Sequence, residues 1–129
     1  MVVVGLDTNA LMMPVECDIR VFEELDRLFG LDITELVVPS AVLDELDRLE
    51  SGHDEAATAA SVGKDLVDRC RVVETNVSYA DDAIVELATD DDAVDYVVTN
   101  DAPLRDRLLS HGVHVVSRQG ETNLGITAP

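Results

Sequence analysis

The chain begins MVVVGLDTN, and this stretch constrains the fold more than any other. Val2, Val3 and Val4 are consecutive β-branched residues with no polar alternation. A strand of that kind needs apolar cover on both faces, which a parallel sheet flanked by helices supplies. Gly5 allows close backbone approach before the turn. Asp7, Thr8 and Asn9 then stand at the C-terminal end of the strand, the edge at which open α/β sheets bind ligands.

The remaining chain alternates short apolar runs with helical patterns. A turn at Ala10–Pro14 leads to a helix over Cys17–Phe29, capped by Asp18 and ended by Gly30. Glu35–Val38 reads as a strand. Pro39 and Ser40 open a helix with Leu43, Leu46 and Leu49 on one face, and Asp54–Cys70 reads as an Ala-rich helix. Arg71–Glu74 is a weak third strand. Asp81 and Asp82 open a helix that closes in an acidic turn at Asp90–Asp92. Tyr96–Thr99 and Val113–Val116 are two further strands, with a helix over Pro103–Ser110 between them. Residues 118–129 read as an irregular polar tail with a short extended piece at Leu124–Ile126. The pattern fits one domain over residues 1–129, an α/β fold with a mostly parallel sheet and right-handed crossovers. In such a sheet the first and fourth strands are neighbours, so Asp7 and Asp101 meet at the switch point.

Composition limits partners and setting. Apolar residues make up 47% of 129, enough for a real core, but aromatics are only 3%, so Val, Leu, Ile and Ala must fill it. The net charge is −18, from 27 acidic residues against nine cations, of which Lys64 is the one lysine. Self-repulsion of that size destabilises a compact domain unless salt shortens the screening length, to about 3 Å at 1 M. The acids are spread along the whole chain, as in a protein of a salt-adapted cytoplasm. At high salt the counterion-release contribution to nucleic-acid binding is eroded. Phosphate contact is then expected to depend more on bridging cations than on basic patches. No long uncharged apolar stretch reads as a membrane span, and the N-terminus shows no basic region of a signal peptide. Cys17 and Cys70 are isolated, without zinc spacing, which suits free thiols in the cytoplasm.

Five carboxylates carry the candidate chemistry: Asp7 after the first strand, Glu45 in the helix after the second, Asp81 and Asp82 after the third, and Asp101 after the fourth. Carboxylates gathered in one cleft raise one another's pKa unless a divalent cation neutralises them. Hard oxygen ligands select Mg²⁺ or Mn²⁺. Such an ion can bind a phosphodiester oxygen and lower the pKa of a bound water. Taken alone, Asp7, Asp81 and Asp101, each before a helix, read as N-caps, and Glu45 as a solvated helix residue. Their joint placement, one per βα connection on one edge, is what favours a site. No phosphate-binding glycine loop and no Ser-His-Asp or Cys-His arrangement competes.

The segments VVVGLDTNALM, VVPSAVLDELDRL, SYADDAIVELA and YVVTNDAPLRDRLLSHGVHVV together resemble a PIN domain, a metal-dependent ribonuclease fold. The last two are similar to the PIN branch of the small-subunit processome endonucleases and their archaeal relatives. The resemblance implies a three-layer α/β/α fold with a five-stranded sheet of order 3-2-1-4-5. It implies Mg²⁺- or Mn²⁺-dependent endonuclease cleavage of single-stranded RNA, leaving 5′-phosphate and 3′-hydroxyl ends. Carried onto this sequence, Asp7, Glu45, Asp82 and Asp101 are the catalytic carboxylates and metal ligands, with Asp81 the competing ligand for the doublet. Thr8, Asn9 and Thr99 resemble residues that steady those carboxylates, and Asp106 is a weaker candidate for the same end of the sheet. Arg105, Arg107 and Arg118 are candidate phosphate contacts. The implied partner is RNA, first of all precursor ribosomal RNA. The toxin of a toxin–antitoxin pair, with an antitoxin as partner, and a catalytically silent RNA-binding or assembly module are the alternatives. Homodimerisation through helices also follows from the resemblance.

Overall fold

The computed structural model describes residues 2–30, 33–90 and 94–129. The N-terminal strand β1 (Val2–Leu6) is followed by α1 (Thr8–Glu16), α2 (Val21–Phe29), β2 (Ile33–Pro39), α3 (Ser40–Glu50) and α4 (Glu55–Val67). The second half comprises β3 (Arg71–Val73), α5 (Ala80–Thr89), β4 (Tyr96–Val98), α6 (Ala102–Ser110), β5 (His114–Gln119) and β6 (Asn123–Thr127). The sheet order is β3-β2-β1-β4-β5-β6. The first five strands are mutually parallel, and β6 runs antiparallel to β5. The expected order 3-2-1-4-5 is present, extended by a sixth strand.

The order reverses direction at β1. Strands β1 to β3 step one way across the sheet, and β4 and β5 step the other. Right-handed crossovers then send α1–α4 to one face and α5 and α6 to the other. Helix α4 packs on both α1 and α3, and α5 packs on α6. The core is aliphatic, as the scarcity of aromatics requires: Val4, Leu6, Val37, Val38, Val97 and Val98 of the sheet are essentially inaccessible. Gly63 lets α4 press close, since a Cβ there would stand 3.0 Å from the Leu11 carbonyl oxygen and 3.3 Å from Leu46 Cδ2. Those contacts fix α1 and α3, the helices that begin beside Asp7 and carry Glu45.

Four expectations are corrected. Ala10–Pro14 is not a turn but the middle of α1, with Pro14 inside the helix. Pro14 lacks a donor for that turn, and burial of Ala10, Leu11, Met12 and Met13 outweighs the loss. The next helix starts at Val21, not Cys17. Asp18 does not cap it; Asp18 has φ 55° in a left-handed break, and Arg20 occupies the cap position without a side-chain capping bond. The tail is not irregular: residues 114–127 form a hairpin that turns through Gly120 at φ 72°, and the extended piece expected at Leu124–Ile126 lies within its second strand. Glu24 of α2 fastens its far strand, accepting from Leu124 N at 2.9 Å, while Arg27 donates to the Leu124 carbonyl at 2.8 Å. The acidic turn expected at Asp90–Asp92 falls mostly on residues outside those described, with Asp90 itself exposed.

Candidate active site

Register sets the site. Leu6 pairs with Val98, so Asp7 emerges beside Thr99 and two residues from Asp101. Both acids also cap the helices they precede. Asp7 Oδ1 accepts from Ala10 N at 2.6 Å, and Asp101 Oδ1 accepts from Leu104 N at 3.0 Å. Capping and site formation are therefore compatible: a cap occupies one carboxylate oxygen and leaves the other. Thr99 is fully buried. Its hydroxyl accepts from Asp101 N at 3.0 Å and also bonds to Asp7, linking the two acids. Asn9 Oδ1 accepts from Asn100 N at 2.9 Å, and Asn100 Oδ1 accepts from Arg118 N at 2.7 Å. These bonds tie α1, the end of β4 and β5 into one rim. Asn100 was not singled out in the sequence; its place between Thr99 and Asp101 at a strand end was the available signal.

A cavity of about 190 Å³ opens here, lined by Asp7, Thr8, Asn9, Met12, Glu16, Glu45, Leu49, Asp81 and Asp101. Thus Asp7, Glu45, Asp81 and Asp101 meet in one place from four different connections. Asp82 does not line the cavity: it is exposed and pairs with Arg107 at 2.9 Å. Asp106 is also absent from the lining and lies beside Arg105 at 3.5 Å. Glu16, at the exposed end of α1, is a fifth acid on the rim that sequence reasoning missed. It follows Thr8 and Met12 at intervals of four, one face of the helix.

The electrostatics are those of crowded acids. Desolvation, with a smaller contribution from Asp81 and Asp101, raises the Asp7 pKa from 3.8 to about 7, against the lowering effect of its Thr99 and Ala10 bonds. Asp81 is also pushed up, by partial burial and then by Asp101 and Glu45. The Thr8 hydroxyl oxygen is buried without a hydrogen-bond partner, a costly condition in an otherwise satisfied region. The lining acids are all carboxylates, with no imidazole or thiol among them, and that donor set suits a hard divalent cation. Among the described residues no three acidic, His or Cys groups stand close enough as placed to share one ion.

An open parallel sheet with carboxylates gathered at its switch point is the architecture of a PIN-type nuclease fold. Residues 3–121 match the PIN like domain family, and the chain belongs to that family. Its structure is similar to that of the PIN domain endonuclease Utp24, with TM-score 0.79 and 24% identity over 98% of this chain and 92% of that one. It is also similar to VapBC2 from Rickettsia felis bound to a DNA fragment from their promoter, with TM-score 0.65 and 14% identity over 91% of this chain and 99% of that one. A UPF0178 protein of Sulfurimonas denitrificans (strain ATCC 33889 / DSM 1251) is 38% identical over 61 residues, which span 47% of this chain and 38% of that protein. No helix among the described residues is long and apolar enough to cross a membrane.

Proposed function

We propose that this chain is a divalent-cation-dependent endoribonuclease that hydrolyses single-stranded RNA, acting in ribosomal RNA processing in the cytoplasm of a salt-adapted archaeal cell. The observation that supports this most is the meeting of Asp7, Glu45, Asp81 and Asp101 around one cavity at the switch point. These four residues would hold Mg²⁺ or Mn²⁺, which supplies Lewis acidity toward a phosphodiester oxygen and a more acidic bound water. Asp81 takes the third position in preference to Asp82, because Asp82 is engaged by Arg107 outside the cavity.

The chain's own residues supply placement. Ala10 N and Thr99 orient the Asp7 carboxylate, and Leu104 N orients that of Asp101. Burial of Asp7 keeps water from competing for it, so its charge acts in a low-dielectric setting. Arg107 lies near enough to Asp81 to favour its ionised form. Held by Asp82 and half-exposed, Arg107 is placed to meet a substrate phosphate at the rim.

The test is cleavage of an end-labelled single-stranded RNA in Mn²⁺ at high KCl. Wild type is expected to cut. Asp7→Asn and Asp81→Asn should lose about 100-fold or more, since even a supporting residue of a metal site costs about 10–100-fold. Asp82→Asn should lose much less. Undiminished cutting by Asp7→Asn would overturn the site assignment, and RNA binding without cutting by wild type would favour a silent assembly module. A toxin would use the same carboxylates. Co-sedimentation with pre-ribosomes supports processing, whereas co-purification with a small antitoxin supports the toxin.

A further inference from the structure

We infer that Tyr79 is a stacking platform for a nucleobase of single-stranded RNA beside the carboxylate cavity, an inference that rests on the ribonuclease reading above. The chain has four aromatic residues, and three are occupied. Phe22 is buried beneath the Arg69 guanidinium, 4.3 Å from the ring centre. Phe29 and Tyr96 pack at 4.7 Å between centroids, and Tyr96 also meets His114 edge-on at 5.5 Å. Tyr79 alone among the described aromatic residues is left 61% exposed.

Its position is what gives that exposure meaning. Tyr79 is the N-cap residue of α5, two positions before Asp81. Two residues of chain span at most about 7 Å, so the Tyr79 backbone lies within that distance of the backbone of Asp81, which lines the cavity. The supporting backbone is fastened. Tyr79 O accepts the first helical bond from Ala83 N at 2.9 Å, and Asn76 N donates to Glu86 at 2.9 Å. Thr75 Oγ1 donates to the Val77 carbonyl at 3.2 Å, within the same loop. A ring presented on a fixed loop loses little entropy when a base lands on it.

The charge of the chain adds a second reason. The cations expected to touch phosphate each also hold a partner within the chain, Arg107 with Asp82, Arg105 with Asp106, and Arg118 with the carbonyls of Gly120 and Glu121, so a phosphate contact competes with that partner. Molar salt screens whatever attraction remains. Stacking on an aromatic face survives such screening and tolerates any base. A strand bound this way is held by one base while its neighbouring phosphodiester lies over the acids.

The experiment uses the full chain with short oligoadenylate and an abasic oligomer of equal length, at molar KCl with EDTA. With no tryptophan and two tyrosines, intrinsic tyrosine emission reports the site directly. Oligoadenylate should quench that emission, the abasic oligomer should not, and Tyr79→Phe should remove the quenched component while still binding. Tyr79→Ala should weaken oligoadenylate binding about tenfold. In Mn²⁺ it should raise KM for RNA cleavage by a similar factor and leave kcat unchanged. Equal affinity for the two oligomers, or an unchanged KM in Tyr79→Ala with wild type cutting normally, overturns the stacking assignment and leaves the nuclease reading standing. Quenching and its loss in Tyr79→Phe, with no cleavage by wild type, would uphold stacking and remove the nuclease.

Discussion

Asp7 is held in a state that the fold alone does not favour. Unfolded, its carboxyl titrates near 3.8; folded, burial moves it to about 7. Between those values the unfolded chain releases the proton while the folded chain keeps it. The contribution to stability is therefore fullest below 3.8, falls as pH rises, and is fully lost once pH passes about 7. At about 1.4 kcal/mol per pH unit, the penalty without a cation is on the order of 4 kcal/mol at most. Asn keeps the oxygen that caps α1 and carries no charge. Asp7→Asn is thus expected to be more stable than wild type in EDTA at about pH 8, and nearly equal to it near pH 4. Added Mn²⁺ should raise the melting temperature of wild type, and more at high pH than at low, while leaving the Asn variant nearly unmoved. Thermal melts with and without Mn²⁺ check both arms. A variant less stable than wild type at high pH in EDTA would show that Asp7 carries no such penalty.

At the scale of elements, the site depends on how closely helices approach the sheet edge. Gly63→Ala adds a methyl 3.0 Å from the Leu11 carbonyl. Overpacking costs about 1–3 kcal/mol, and the better helix propensity of Ala returns about 1. The net expectation is a loss of about 1 kcal/mol in urea denaturation, with weakened cleavage because α1 and α3 are displaced. The sixth strand hangs on Glu24. Glu24→Ala leaves the buried Leu124 amide without its acceptor, a loss of about 1–3 kcal/mol, with faster hydrogen exchange at Leu124. Glu24→Gln, which keeps an acceptor, should lose less. How much of this was legible follows from local pattern. The runs Val2–Val4 and Tyr96–Thr99 declare their strands because nothing polar interrupts them. Strand β6 is only partly declared: Leu124–Ile126 reads as an extended piece, but Asn123 and Gly125 are poor strand formers and the contact that fixes the strand comes from a residue 100 positions away. Pro14 and Asp18 misled for a related reason, because burial of α1 overrides local preference. The Asp81/Asp82 doublet was resolvable in principle. Asp81 shares the i, i+3, i+7 stripe with buried Ile84 and Ala88, whereas Asp82 falls with exposed Thr89.

The molecule as a whole carries 18 more negative than positive charges, and pairing does little to offset them. Arg20, Arg27, Lys64, Arg71, Arg105 and Arg107 already form ion pairs. These lie at the surface, where each contributes about 0–1 kcal/mol and weakens with salt. Self-repulsion weakens with salt too, and it has far more charges to act on. Raising KCl from about 0.1 M to about 1 M shortens the screening length from about 10 Å to about 3 Å. The repulsion among unpaired acids then falls by more than the pairs lose. The melting temperature is accordingly expected to climb with KCl and flatten near molar concentration. Converting an exposed acid on α4, as in Asp65→Lys, should raise it at low salt and make little difference at high salt. A series of calorimetric melts across KCl concentrations measures both trends together. A melting temperature that falls as KCl is added would mean that the ion pairs, and not the excess of acids, dominate the electrostatics of the folded chain.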